Sequence, residues 1–451
     1  MKPERDSLPP PLRSDTATKT KVWNCLELTW PINVMTKRPM SCARNFLTRP
    51  FSLPQRPMWF RLLALALLLL PVPSLAGVKE DVAALAPAGL VLVEDAKGNE
   101  LLVQNVDEPF VPASVTKIVT AWLAMEVLGP DYRFETRFYL DSKRVLYIRG
   151  GGDPFLISEE LAPLASALVG AIGKQPITGV VVDGSYYPSD LRIPGIENSD
   201  EAYNALNTAL AVNFNTISGV RSGNTVRSAE KQTPITPIAI SEFLARGPKK
   251  GAGRISLSQD PAVSLQYAGE LITAFIARAG GRVTGKVSIG SVPAGLQPVY
   301  VHRQSRPLAE ILVDLLRASN NYVANQVFLE IGAHQLGGPV SLDKSLKVAN
   351  AMLAAHGLAT AIHMEEGSGI SRDDRFTARG LAQVLELFAP HADMLHGHDG
   401  GTNKTGTMAG VSTLAGYADT SGHGRVHFVI SLTSSDGQLR FRVLQAIRAG
   451  L

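Results

Sequence analysis

Apolar and polar residues alternate along residues 89–105, GLVLVEDAKGNELLVQN, on both sides of a Lys-Gly-Asn break. A period of two sets one face of each run against a core, so the segment reads as two strands joined by a tight turn. At Ser114 the period changes. Apolar residues recur at helical spacing to about Leu128, and Gly129-Pro130 ends the helix. RVLYIRGGGDP, residues 144–154, reads as a strand ending in glycines. From about 155 to 300 the pattern breaks into short β-rich pieces such as ITGVVVDGSYY and turn-rich polar stretches, with one clear helix near 267–279. Helical spacing returns after residue 305 on both sides of Ser319-Asn320-Asn321, then near 342–355 and 377–389. NKTGTMAGVSTLAGYAD and RVHFVISLTS alternate like neighbouring antiparallel strands, and GQLRFRVLQAIRAGL closes the chain as a helix. Strands at both ends with helices between them predict a multidomain α/β chain. One domain is assembled from residues 77–154 and 301–451, and residues 155–300 are inserted into it.

Composition adds limits. The chain has 451 residues, is 45% hydrophobic and carries a net charge of +4, with no basic stripe of interleaved aromatics that would suit nucleic acid. Residues 56–77, RPMWFRLLALALLLLPVPSLAG, have a basic flank, an apolar run from Leu62 to Leu70 and a small-residue site ending at Ala76. That is the layout of a secretory signal peptide over residues 58–76, with the mature chain starting at Gly77. An uncleaved anchor is the alternative, though the run is short for a membrane span. Residues 1–57 are aperiodic and precede Met58, so they read as an over-long start outside the native protein. Cys25 and Cys42 both lie there. An exported chain without cysteine has no disulfide, no thiol nucleophile and no thiolate metal site.

Three short motifs carry candidate chemistry. Ser114 and Lys117 are three apart at a helix start, so they share a face where free backbone N–H groups favour negative charge. A lysine beside a serine becomes its base only if burial or a nearby cation removes its proton. Alone, the pair also fits a capped helix with a solvated charge. Ser319-Asn320-Asn321 interrupts a helical context with residues that compete for the backbone, which suits either an interhelix turn or a functional exception. Lys404-Thr405-Gly406-Thr407 opens a strand, and a glycine inside a strand marks close approach of another backbone or a ligand. The plain alternative is an edge strand guarded by lysine.

Taken in order, S-x-x-K, S-x-N and K-T-G resemble the signature of penicillin-binding proteins and serine β-lactamases. GGGDP at 150–154, YNALNTALAVNFNT at 203–216 and GSGISRDDRFT at 367–377 extend the likeness. They resemble the D-alanyl-D-alanine carboxypeptidase/endopeptidase family, the class C low-molecular-mass penicillin-binding proteins. The wide gap between Ser114 and Ser319 fits that family, whose extra domains are inserted there. The resemblance implies a penicillin-binding domain with an antiparallel sheet and helices, carrying a β-rich insertion. It implies a periplasmic serine hydrolase without metal or cofactor that trims or cuts peptidoglycan stem peptides and is acylated by β-lactams. It leaves room for peripheral membrane association.

Residue by residue, the resemblance makes Ser114 the nucleophile and Lys117 its base. Ser319 becomes the proton relay and Asn321 a substrate ligand. Lys404 is the cleft cation, Thr405 and Thr407 bind the terminal carboxylate, and Gly406 belongs to that strand. The oxyanion hole is the backbone N–H groups of Ser114 and Thr407. Arg372, and Asp183 from the inserted region, are expected near the substrate's side-chain carboxylate. Glu366 departs from the aspartate usual before GSG. A β-lactamase needs a water-activating group that is not evident, and a degenerate scaffold would have lost motif residues that are all present. His391, His396 and His398 lack a regular metal-ligand spacing, and GGGDP lacks the lysine and helix of a phosphate loop.

Overall fold

The computed structural model describes residues 75–398 and 400–451. The segment expected to be a signal peptide therefore lies outside the described residues up to residue 74, as does all of 1–57. No helix among the described residues is long and apolar enough to cross a membrane.

The chain enters through helix α1 (Leu75–Leu85) and strands β1 (Leu90–Asp95) and β2 (Glu100–Gln104). The Asp95 carboxylate accepts from the amides of Lys97 and Asn99 at 2.8 and 2.9 Å, which closes the turn that Gly98 enters at φ +78°. Helix α2 (Thr116–Val127) follows, buried over most of its circumference. Next come β3 (Glu135–Leu140), β4 (Val145–Arg149), α3 (Ser158–Ile172) and β5 (Gly179–Asp183). A long connection leads to β6 (Thr216–Ser222), β7 (Thr225–Ser228), α4 (Pro237–Arg246) and β8 (Gly251–Ser256). Helix α5 (Pro261–Arg278), β9 (Val287–Ile289) and β10 (Pro298–Arg303) complete this part. Helices α6 (Leu308–Ala318), α7 (Asn321–Leu336) and α8 (Leu342–Ala355) then run in succession. The short strands β11 (Ile362–His363) and β12 (Arg375–Phe376) precede α9 (Ala378–Phe388). Strands β13 (His396–His398), β14 (Gly401–Met408), β15 (Val411–Thr420) and β16 (Gly424–Leu432), and helix α10 (Leu439–Gly450), end the chain.

The first and last strands make one sheet, ordered β13-β14-β15-β16-β1-β2. Strands β1 and β16 pair antiparallel from Leu90↔Ser431 to Asp95↔Val426. On one face, Val78 and Val82 of α1 and Val443, Leu444 and Ile447 of α10 cover it. On the other lies the largest core, with Trp122, Tyr322, Phe328 and Phe388 from α2, α7 and α9. The Gly422 amide donates to the Leu451 carbonyl at 2.7 Å, tying the end of the chain to the sheet.

All strands from β3 to β10 pair among themselves. Five form a mixed sheet, β10-β3-β4-β5-β9, and three form β7-β6-β8. One core joins both, with Leu164 and Leu271 under the larger sheet and Ile217, Phe243 and Ile255 under the smaller.

Two expectations change. The strand at 144–154, assigned from sequence to the end-built domain, hydrogen-bonds into the middle sheet, so the self-contained set begins near residue 135 rather than 155. An alternating pattern says that a strand has a buried face but not which partner it takes. The middle also holds three helices rather than one. Pro163 inside α3 masks its helical signal. Helix α5 starts well before 267, at Pro261, with the Asp260 carboxylate capping the Ala262 amide at 2.9 Å.

Candidate active site

Ser114 sits in a short 3₁₀ turn, Ala113–Val115, that leads directly into α2. Ala113 holds φ +50°, a left-handed conformation that costs a non-glycine residue about 1–2 kcal/mol. Neighbours keep it there. The Thr413 hydroxyl on β15 donates to the Pro112 carbonyl at 2.8 Å. Gly369 packs so close that a Cβ would lie 1.9 Å from the Ala113 oxygen.

Lys117, one helical turn on, is wholly buried. Its Nζ donates to Ser114 Oγ at 2.9 Å, to Asn321 Oδ1 at 2.7 Å and to the Ser368 carbonyl at 2.6 Å. Burial brings its pKa down to about 7, against the opposing pull of the Glu366 and Asp374 carboxylates. At neutral pH a large fraction of this amine is free to accept a proton. The main cause is burial rather than a neighbouring cation.

The Ser319 motif is a turn between α6 and α7. Ser319 ends α6 in the left-handed region, φ +55°. The Asn320 side chain caps α7 by accepting from the Val323 amide at 3.3 Å. Asn321 is the first residue of α7, and its side chain bridges Lys117 to the Tyr203 carbonyl, reached at 3.2 Å. Two adjacent asparagines thus split the work of starting a helix and holding Lys117.

Lys404, buried on β14, donates to Ser319 Oγ at 2.8 Å and to the Thr405 carbonyl at 2.9 Å. Burial lowers its pKa well below the usual lysine value, and the charges of Lys117 and Arg440 lower it further. The expectation that Lys404 stays charged beside a neutral Lys117 is therefore not met by the protein alone, since both amines are pushed toward neutrality. The charge of Lys117 thus bears on the protonation of Lys404.

The glycine signal in K-T-G is explained by crowding. A Cβ on Gly406 would meet Thr413 Oγ1 at 2.1 Å, the Pro112 carbonyl at 2.7 Å and the Ser114 amide nitrogen at 3.0 Å. Strand β13 pairs with β14 only as far as Asn403, so residues 404–408 present a free edge on that side. Arg440 of α10 supports this strand from behind. Its Nη1 donates to the Gly406 carbonyl at 2.7 Å, to Thr407 Oγ1 at 2.9 Å and to the Thr413 carbonyl at 3.2 Å. Sequence reading missed Arg440. In RFRVLQAIR it looks like any helix arginine, and only its burial marks it.

A cavity of about 840 Å³ opens over these groups and is lined by Ser114, Ser319, Asn321, Thr407, Arg372 and Glu197, among others. Thr405 and Gly406 are set back from its surface. Arg372 is exposed at the rim, its Nη2 donating to the Ala409 carbonyl at 2.9 Å. Asp183 is elsewhere. It ends β5, its carboxylate accepts from the Ser185 and Val292 amides at 2.9 Å each, and it lines a separate cavity of about 350 Å³. The carboxylates that do share the cavity with Arg372 are Asp373, its neighbour in sequence, and Glu197, in a loop pressed onto residues 370–371. Gly195 there holds φ +82°, and a Cβ would lie 2.7 Å from the Ile370 oxygen. That glycine was the available signal.

Glu366, the departure from the aspartate pattern, is completely buried and organises the loop that holds Lys117. Its Oε2 accepts from Asn325 Nδ2 at 2.8 Å, the Ser368 amide at 2.7 Å and the Ser368 hydroxyl at 2.6 Å. Its Oε1 accepts from the Ile370 amide at 2.7 Å. Asp374 lies nearby, also fully buried, accepting from the Glu365 amide at 2.7 Å. Burial first, and the Glu366 charge second, push its pKa up to about 8.

A buried lysine bonded to an accessible serine, a second lysine–serine pair beside it and a penicillin-binding fold define a class: serine hydrolases that use lysine where others use histidine. The D-Ala-D-Ala carboxypeptidase 3 (S13) family pattern matches residues 73–242 and 248–400, and the chain belongs to this family of serine peptidases. It is 28% identical over 441 residues to a D-alanyl-D-alanine carboxypeptidase of Actinomadura sp. (strain R39), covering 81% of each chain. It is 26% identical over 206 residues to the D-alanyl-D-alanine carboxypeptidase DacB of Haemophilus influenzae, covering 40% of this chain and 43% of the relative. The fold resembles the crystal structure of penicillin binding protein 4 (dacB) from Haemophilus influenzae, with a TM-score of 0.66 and 19% identity over 82% of this chain and 99% of that one.

Proposed function

We propose that the protein hydrolyses the D-Ala-D-Ala bond of peptidoglycan stem peptides through an acyl-enzyme on Ser114. The observation that carries this reading is the 2.9 Å bond from Lys117 Nζ to Ser114 Oγ, made by a wholly buried amine whose pKa lies near 7. Neutral Lys117 takes the Ser114 proton as Oγ bonds to the scissile carbonyl carbon. The negative oxygen that forms lies between the backbone N–H groups of Ser114 and Thr407, and one such donor contributes about 10²–10³ in rate. The C–N bond then breaks, and Ser319 passes its proton to the departing nitrogen while Lys404 replenishes it. The proton that Lys117 took then restores the charge of Lys404 and leaves Lys117 neutral. Water attacks the ester carbon and gives its proton to Lys117, which passes it to Ser114 Oγ as the ester C–O bond breaks and the product acid leaves.

The substrate's terminal carboxylate settles against the Thr407 hydroxyl, within reach of the Lys404 charge. A bound anion favours the charged form of Lys404 and so resolves which of the two amines keeps the proton. Arg372 and Glu197 suit the two ends of a zwitterionic side chain, such as that of a diaminopimelate residue. A β-lactam offers the same carbonyl and carboxylate in a ring, so it acylates Ser114 and leaves slowly. The basic–apolar–small-residue layout of 56–77 and the extracytoplasmic location of such a substrate support export to the periplasm after cleavage at Ala76.

The test is labelling with a fluorescent penicillin together with mass analysis of a digested D-Ala-D-Ala pentapeptide. Wild type is expected to label and to release D-alanine, and Ser114→Ala to do neither while keeping its melting temperature. A Ser114→Ala protein that still labels overturns the assignment.

A further inference from the structure

A cavity of about 610 Å³ opens at the carboxyl ends of the parallel strands β4 and β5 and shares no lining residue with the one over Ser114. Gly150 and Gly151 leave β4 there, and Ser185 and Tyr186 follow β5. The crevice outside the carboxyl ends of parallel strands is where open α/β sheets place their ligands. Its size falls within the range of built ligand sites. A Cβ on Gly151 would lie 2.3 Å from the Glu135 carbonyl oxygen, so the glycine lets the backbones of β3 and the β4 exit close up beside the cavity. That gives GGGDP, which the chemistry at Ser114 leaves unused, a place in a second site.

The wall is cationic. Arg137 of β3 and Arg149 of β4 are register partners, and both line the cavity as exposed residues. Like charges directly opposite on antiparallel strands are destabilising. Glu135 engages Arg137 at 2.9 Å, but it also serves Arg303 at 3.0 Å. Arg149 makes no ion pair or side-chain hydrogen bond with any described residue. Its register partner on β5, Asp183, gives its two carboxylate oxygens to the Ser185 and Val292 amides. Arg133, also on the wall, donates to the uncharged Gln304 and Ser305 carbonyls. Glu330 of α7 is buried beside them, its oxygens accepting from the Tyr132 hydroxyl at 2.7 Å and the Tyr186 hydroxyl at 3.0 Å. Burial raises its pKa to about 7, against the pull of those two bonds, so near neutrality it cancels only part of the arginine charge. Tyr186 is itself fixed: its carbonyl accepts from the Val340 amide at 2.9 Å, and a Cβ on Gly338 would lie 2.9 Å from its ring.

We propose that this cavity binds a phosphate monoester carried on a hydroxylated body, a polyol or sugar phosphate. Three arginines and one shared glutamate leave more positive charge than a single carboxylate would match, whereas a phosphate monoester brings close to two negative charges. Arg137 and Arg149 offer its oxygens two planar forks, and the anion between them relieves their mutual repulsion. The hydroxyl oxygens of Tyr132 and Tyr186 donate to Glu330 and keep lone pairs for the hydroxyls of the body.

The experiment titrates the purified protein with sn-glycerol 3-phosphate, inorganic phosphate and D-glycerate by calorimetry. Glycerol phosphate is expected to bind at a single site and at least about tenfold more tightly than D-glycerate, which keeps two hydroxyls but carries a carboxylate, the scale of one further charge-assisted contact. Arg149→Gln should weaken it at least about tenfold, while the melting temperature holds or rises because the repulsion with Arg137 is gone. Arg149→Lys, which keeps the charge and loses the fork, should fall between. Tyr186→Phe should weaken glycerol phosphate and spare inorganic phosphate. No binding of either phosphate, equal affinity for D-glycerate, or an unaltered Arg149→Gln would each overturn the proposal. Arg149-dependent sedimentation with phosphatidylglycerol vesicles, without binding of the free monoester, would overturn it in favour of a lipid headgroup.

Discussion

Gly406 faces the backbone amide of Ser114 with no room between them for a methyl group. Gly406→Ala should therefore push β14 away from the nucleophile rather than unfold the chain. The expected cost is about 1–3 kcal/mol of stability, typical of overpacking. Acylation by penicillin should fall about 10²-fold, since small misplacements of reacting groups are that costly. Stopped-flow acylation and a thermal melt on one sample separate the two effects. Unchanged acylation would mean that the strand edge plays no part in catalysis.

Lys117→Arg keeps a positive charge but cannot deprotonate. Acylation should drop by about 10²–10⁴, the usual contribution of a positioned base. Circular dichroism should confirm that the larger head is accommodated. Near-normal acylation would return Lys117 to a structural role.

The pH dependence follows from which form of Lys117 works. In the proposed mechanism the neutral amine is the active one, and its pKa is brought down to about 7. The acylation rate constant should thus rise with pH, about tenfold per unit below 7, and level off above it. Lys404→Met removes one of two mutually repelling cations, so the remaining amine should hold its proton more tightly and the ascending limb should move to higher pH. A limb that moves down or stays in place would contradict the coupling.

Asp374 gives a stability signature of the opposite sign. Its carboxyl titrates near 8 when folded and near 3.9 in an unfolded chain. Between those values the folded state binds the extra proton. Its contribution is complete below about pH 4 and is lost as pH rises through 8. Asn can replace both of its contacts, the Glu365 amide and the Thr116 hydroxyl. Asp374→Asn should therefore gain in melting temperature relative to wild type as pH rises from 5 to 8. A constant difference would show that the carboxyl does not titrate in that window.

What was legible in the sequence was whatever local spacing encodes. The α2 and α8 helices, the β1–β2 turn and strand β16 follow from periodicity and glycine punctuation alone, whereas residues 403–419, which read as one strand, fold back at Ala409-Gly410 into β14 and β15. The motif residues Ser114, Lys117, Ser319, Asn321 and Lys404 could be named because few chemistries use them together, and the structure brings them into contact. Partnership was not legible. Strand β4 alternates as well as any strand, yet joins the middle sheet. Asp183 and Glu197 are both acidic residues near turns, and only the fold decides which of them lines the cavity with Arg372. Arg440 and Glu366 reach the site through burial, which no spacing records.

The pairing of β1 with β16 sets a clock on activity. Ser114 and Lys117 are made early, but the residues that shape them are made late: Ser368 for the amine, Lys404 for the relay serine, Gly406 and Thr413 for the turn beneath the nucleophile. Contacts of such long sequence separation form slowly and only once both partners exist. A chain still attached to a ribosome lacks these contacts and carries an ordinary serine and a charged, solvated lysine. The reactive hydroxyl comes into being only when the last strands close the sheet, so a nascent or truncated chain can neither cut a peptide nor be trapped by an antibiotic.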